Sequence, residues 1–273
     1  MTHLTETDST NRWLRDHADE FQEEYIGVVW TDHQTAGRGC GSNTWESEPR
    51  KNLLFSVLCH PRTVDATHQF LLLQAMALAV KDTLDPYLPQ NEELKIKWPN
   101  DIYWHDRKLG GTLTECALSG QKMRWCIIGT GLNINQTIFS PALPNPVSIA
   151  QIKGCHLELE PLLQRITSCF RHRLGQLEQG ETDCLQKQYA AALYRRHGYH
   201  PYRDDKSDFE AEIVSVAPDG TLTLRDRLQS LRNYKFKEVQ FIIKEKNNGK
   251  IQSHSSQAVG RKPDGQAGLR HRP

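Results

Sequence analysis

The sequence predicts an α+β chain that ends in a small all-β appendage. Two apolar, β-branched runs (Tyr25 to Thr31 and Leu53 to Cys59) read as strands on either side of a glycine-rich loop. Two stretches, Asp65 to Leu84 and Pro161 to Leu177, carry apolar residues at helical spacing. After Gly198 the period changes to short alternating strands around an Asp219–Gly220 turn. A chain of 273 residues has room for one large domain, or one medium and one small.

Taken in order, residues 1–7 form a short strand candidate. Asp8, Ser9, Thr10 and Asn11 follow, all good helix N-caps, before a helix carrying Trp13, Leu14, Ala18 and Phe21. The loop from Gln34 to Trp45 holds Gly37, Gly39, Gly41 and Arg38. Its backbone could wrap an anion, although the spacing matches neither a P-loop nor a dinucleotide fingerprint. The helix of residues 65–84 is expected to be largely buried, with Met76 as core filler, and to end at Asp85–Pro86. Leu94, Ile96 and Trp98 then alternate with lysines as in a half-buried strand, and Pro99 stops it. Ile102 to Trp104 and Lys108 to Ala117 read as a hairpin with Asp101 and Lys108 near its two ends. Met123 to Ile128 is a strand running into Gly129 to Asn135, where glycines suggest the close approach of another element. A proline-rich loop separates it from the helix opened by Pro161, and a further helix is expected over residues 183–196. Strands are expected at Phe209 to Val216, Thr221 to Leu224 and Tyr234 to Ile242. From Lys244 the chain is polar without an apolar period, which predicts a disordered tail.

The composition excludes several classes. A net charge of +1 gives no general affinity for nucleic acid or membrane surfaces. No apolar stretch is long enough to span a bilayer, and the start has no signal-peptide pattern. Seven cysteines without CxxC pairs and twelve histidines without metal-ligand spacing point to reduced thiols in a cytoplasmic protein with no bound structural metal.

Five segments, at suitable spacing, resemble the biotin protein ligase family: ETDSTN (6–11), QTAGRG with Trp45, KWPND (97–101), RKLGGTLTE (107–115) and GTGLNIN (129–135). The C-terminal strands, YKFKEV above all, resemble that family's SH3-like domain. The resemblance implies a mixed sheet packed against helices over residues 1–197, an SH3-like barrel over 198–243 and a tail over 244–273. It also implies two steps, in which biotin and ATP give biotinoyl-5′-AMP, and a lysine of a biotin carboxyl carrier protein then takes the biotinoyl group.

The resemblance further assigns residues. Ser9, Thr10, Asn11 and Gln34 would hold the ureido head of biotin, with Gly37, Gly39, Gly111, Gly129 and Gly131 lining its site. Arg38 and Lys108 would contact the biotin carboxylate and the α-phosphate. Cys40, Trp45, Asn100, Leu132 and Asn133 would belong to the nucleotide site, and Asn100 and Asp101 would lie beside the reacting carbonyl. The first step needs charge stabilisation, which Arg38, Lys108 and Mg²⁺ can supply, because a carboxylate is already ionised at neutral pH. The second needs help, because a free lysine titrates near ~10.4, and Asp101 is the carboxylate expected to assist. Cys40 departs from the pattern, since many members carry a basic or amide side chain directly after GRG. Bifunctional members also carry an N-terminal DNA-binding domain, whereas here the ligase-like segments begin almost at Met1, so transcriptional repression and nucleic-acid partners are not expected. A monomer or homodimer is expected. Lipoate–protein ligases and a biotin binder without turnover are the competing readings.

Overall fold

The computed structural model describes residues 1–243 except 23, 42 and 121, and residues 119 and 122 by their backbone alone. The expected disordered tail lies outside the described residues. Met1–Ile243 form a single compact unit.

Seven strands make the first sheet: β1 (Thr2–Thr7), β2 (Ile26–Gln34), β3 (Leu53–Cys59), β4 (Lys95–Lys97), β5 (Asp101–Trp104), β6 (Arg107–Ser119) and β7 (Lys122–Leu132). Their order is β1-β2-β3-β7-β6-β5-β4. Only β1 and β2 run parallel, so the sheet is mixed. Three helices, α2 (Phe70–Leu84), α4 (Leu159–Glu178) and α5 (Thr182–Ala191), pack with one face of it in the main core. Helix α2 is apolar nearly all round, and it is buried nearly all round as a result. The opposite face is only partly covered. There α1 (Thr10–Asp16) and a following helical turn bury Leu14, Ala18 and Phe21 against Val29, Leu58 and Ile127. The rest of that face, towards β5 and β6, carries the candidate site.

A second, antiparallel sheet follows, made of β8 (His200–Arg203), β9 (Asp208–Val216), β10 (Leu222–Asp226), β11 (Leu231–Tyr234) and β12 (Gln240–Phe241), in the order β11-β10-β9-β8-β12. Its apolar residues join the main core.

Three expectations need correction. Helix α5 stops at Ala191 instead of running to residue 196, because the next residues cover the edge of β4: the Ile96 amide donates to the Ala192 carbonyl and the Tyr194 amide to that of Ile96. The strand expected over residues 234–242 is broken. The Lys235 amide donates to the Glu238 side chain and Lys237 has φ 73°, so a turn separates β11 from β12. The short helix α3 (Ile149–Lys153) has no counterpart in the expectations, although Ser148 and Gln151 close a capping box at its start.

Candidate active site

The site is assembled by register. Antiparallel pairing sets Asp101 opposite Gly111 and Tyr103 opposite Lys108, with a bulge between. Regular alternation would put Lys108 on the same face as Gly110; the extra residue, Leu109, turns it onto the face of Gly111 and Asp101 instead. The Lys108 ammonium then reaches the Asp101 carboxylate at 2.7 Å. Leu109 itself goes into the core, fully buried.

On the same face the sheet presents bare backbone. A Cβ at Gly129 would collide with the Asn11 amide, and one at Gly131 would lie 2.5 Å from the Trp45 ring. Glycine is required at both, because a side chain from another element lies directly on the strand. Lys108 also faces Trp45, with its ammonium 6.0 Å from the ring centre.

The glycine-rich loop is a small hairpin. The Trp45 amide donates to the Gly37 carbonyl at 3.0 Å and the Gly39 amide to that of Asn43 at 2.8 Å. Gly41, near its tip, has φ 70°. The Gly39 amide therefore serves the loop in this conformation and not an anion. Arg38 is exposed, 3.9 Å from Glu115, and Cys40 is half-buried. The indole N–H of Trp45 is buried and finds no acceptor among the described residues.

Beneath the loop lies a chain of neutral polar groups. The Gln34 Oε1 accepts from the Thr10 amide at 2.9 Å and lies 3.1 Å from the Thr10 hydroxyl. Ser56 Oγ lies 2.7 Å from Thr10 Oγ1 and 2.6 Å from Asn11 Oδ1. Asn11 Nδ2 donates to Glu115 at 3.1 Å, and Arg15 binds the other oxygen of that carboxylate at 3.0 Å. Ser9 is the N-cap residue of α1 but makes no side-chain cap; Asp8 instead pairs with Arg12.

Several expected residues serve differently. Leu132 is fully buried in the main core, so only its backbone can reach a ligand on the Gly131 face. Asn133 is buried; its amide donates to the Leu109 carbonyl and its carbonyl accepts from the Ile149 amide. Asn100 donates to the Thr112 carbonyl and ties the β4–β5 link to β6. Three residues absent from the expected set join the site: Ser56, Glu115 and Lys97. A single serine inside the apolar run LLFSVLC was the signal for the first. Lys97 lies 3.9 Å from Asp101 and faces the rings of Tyr103 and Phe241, and burial pushes its ammonium below the ordinary lysine value.

Residues 4–133 match the model of the biotin/lipoate A/B protein ligase family. The bifunctional ligase/repressor BirA of Bacillus subtilis is 34% identical over 150 residues, covering 54% of this chain and 45% of that protein. The biotin–[acetyl-CoA-carboxylase] ligase of Mycobacterium tuberculosis is 34% identical over 136 residues, covering 49% of this chain and 48% of that one. The chain thus spans about half the length of these curated relatives. Among solved structures, the biotin protein ligase of Aquifex aeolicus in complex with biotin and ATP superposes with a TM-score of 0.68 at 20% identity, over 88% of this chain and 98% of that one.

Proposed function

We infer the function of this chain from the premise that residues 4–133 form a biotin/lipoate A/B protein ligase family domain. The reading best supported is an ATP-dependent ligase that activates biotin as biotinoyl-5′-AMP and passes it to a lysine of a biotin carboxyl carrier protein. One observation carries it: bare glycine backbone on one sheet face is flanked by the Lys108–Asp101 pair and the Trp45 indole, beside a row of neutral polar side chains that ends at Glu115, with Arg38 near that carboxylate. That arrangement suits a ligand with a polar uncharged head and an anionic tail.

In the first step a biotin carboxylate oxygen attacks the α-phosphorus of ATP, and pyrophosphate leaves. Lys108 and Arg38 meet the negative charge gathered there. Lys108 is held for this by Asp101. Among the described residues no group of three or more His, Cys, Asp or Glu could hold a metal ion; Mg²⁺ would come with ATP and would add charge neutralisation beside Lys108 and Arg38. Trp45, over Gly131, offers its ring to the adenine. In the second step the carrier lysine attacks the acyl carbon and AMP leaves. Asp101 is the carboxylate in reach to orient or deprotonate that amine.

We assign residues 1–197 to catalysis and 198–243 to an SH3-like accessory domain, in a cytoplasmic monomer or homodimer. No helix among the described residues is long and apolar enough to cross a membrane. The test is pyrophosphate release on mixing the protein with biotin and MgATP, with lipoate as the competing substrate, followed by mass analysis of a carrier protein. Release that requires biotin, and a biotinoyl adduct on one carrier lysine, are the expected results. Release with lipoate but not biotin would move the chain to the lipoate branch.

A further inference from the structure

We propose that Glu115 is a positioning residue that fixes the direction of hydrogen bonding through Asn11, Ser56 and Thr10, and so makes the pocket select a head group that carries N–H donors. The proposal rests on the biotin reading above and deepens it to the recognition of the cyclic urea.

An ionised carboxylate only accepts hydrogen bonds, and Arg15 only donates. With Arg15 on one oxygen of Glu115 at 3.0 Å, the other, 3.1 Å from Asn11, must face the amide nitrogen. Asn11 therefore turns its oxygen towards Ser56, 2.6 Å away. Two oxygens that close need a proton between them, and only the serine has one to give. Ser56 has no second proton for Thr10, whose hydroxyl lies 2.7 Å off, so Thr10 donates to Ser56. The Thr10 hydroxyl then has no proton for Gln34 Oε1, 3.1 Å away, which accepts from the Thr10 amide alone.

The far end of the chain thus presents two acceptors, Thr10 Oγ1 and Gln34 Oε1, with no proton between them. A ligand N–H placed there satisfies both. With the Asn11 amide reversed, Ser56 would donate to Thr10 and Thr10 to Gln34, and the same place would be closed by a proton of the protein's own. Which arrangement holds is decided at Glu115. A cyclic urea brings N–H groups, whereas a dithiolane ring has none. The pocket's preference is therefore set by a residue at the opposite end of the relay.

The test is a double-substitution cycle read as biotin affinity without nucleotide. In Glu115→Gln, Arg15 claims the one carbonyl oxygen, the new amide nitrogen faces Asn11, and the Asn11 amide reverses. We expect biotin to bind about tenfold more weakly to Glu115→Gln and to Ser56→Ala, since either change breaks the order of a charge-assisted relay. The double variant should bind no worse than the weaker single one, because the relay is cut only once. Biotin methyl ester, which has the urea but no carboxylate, should show the same losses. ATP affinity should be kept in all three variants; the melting temperature should stay near wild type in Glu115→Gln and fall with Ser56→Ala, which leaves the buried Asn11 oxygen without its donor. Additive losses, an unchanged Glu115→Gln, or losses with biotin that vanish with the ester would overturn the relay; the last would place the effect on Arg38. Absence of biotin binding in the wild type would instead overturn the functional reading itself.

Discussion

Lys108 and Asp101 hold each other 2.7 Å apart beside the bare backbone of Gly111, and each is partly open to solvent. Lys108→Ala should leave the fold intact, because the side chain contributes no core. It should slow adenylate formation about a hundredfold, or ~3 kcal/mol, as expected for one charge-assisted contact that strengthens in the transition state. A single-turnover assay of biotinoyl-AMP checks this, and a wild-type rate would remove Lys108 from the chemistry. Gly131→Ala tests the opposite feature, bareness. Its Cβ would press into the Trp45 ring from 2.5 Å, and the ring must shift. Turnover should fall between about ten- and a hundredfold, the scale set by an ångström of misplacement, with KM for ATP rising. At this scale the sequence offers Arg38, Lys108 and the glycines as candidates through the family resemblance, and the structure brings Lys108, Gly111, Gly129 and Gly131 to one face. The sequence was not legible for Leu132, whose place depends on which way the strand faces, nor for Ser56 and Glu115, whose roles exist only through partners on other strands.

Among the elements, β6 shows most plainly what pattern reading lacks. The hairpin of residues 101–117 was visible from alternation and its turn, but the bulge at Leu109 was not. Only the bulge brings Lys108 to the face of Asp101. The end of α5 escapes the sequence pattern for a related reason: Ala192 to Tyr194 satisfy local helix preferences, yet the open edge of β4 recruits their backbone. Strand β4 yields its own prediction through Lys97. Burial pushes this ammonium below its ordinary 10.5, with Asp101 opposing the shift and Lys108 and Arg195 adding to it. Between the lowered value and 10.5 the unfolded chain binds the proton that the folded chain has lost, so this group makes stability rise with pH across that window. Lys97→Met should remove the rise. Denaturant titrations from pH 7 to 10.5 check it, and a wild-type slope in the variant would show that other groups set the dependence.

At the scale of the whole molecule, the second sheet is fastened to the segment that positions Asp101. The Trp98 indole N–H donates to the Gly220 carbonyl at 3.0 Å, and its ring meets Phe236 edge-on at 6.2 Å. Gly220 sits against Phe70 of α2, where a Cβ would lie 3.1 Å from the ring. Tyr189 of α5, edge-on to Phe70, donates to the Pro99 carbonyl at 2.8 Å. The β4–β5 link is thus held by a helix and by the second sheet together. Trp98 is buried, so Trp98→Ala leaves a cavity and an unpaired carbonyl, at a cost of about 3–5 kcal/mol. Loss of stability alone would not distinguish this anchor from any other core residue. The distinguishing expectation is local: hydrogen exchange should quicken in β8 to β12 and in β5 while β2 and β3 stay protected. Turnover should fall at temperatures where the variant is still folded, because Asp101 directly follows the loosened link. Uniform loss of protection across both sheets would show instead that Trp98 supports the core as a whole and that the second sheet has no particular hold on Asp101.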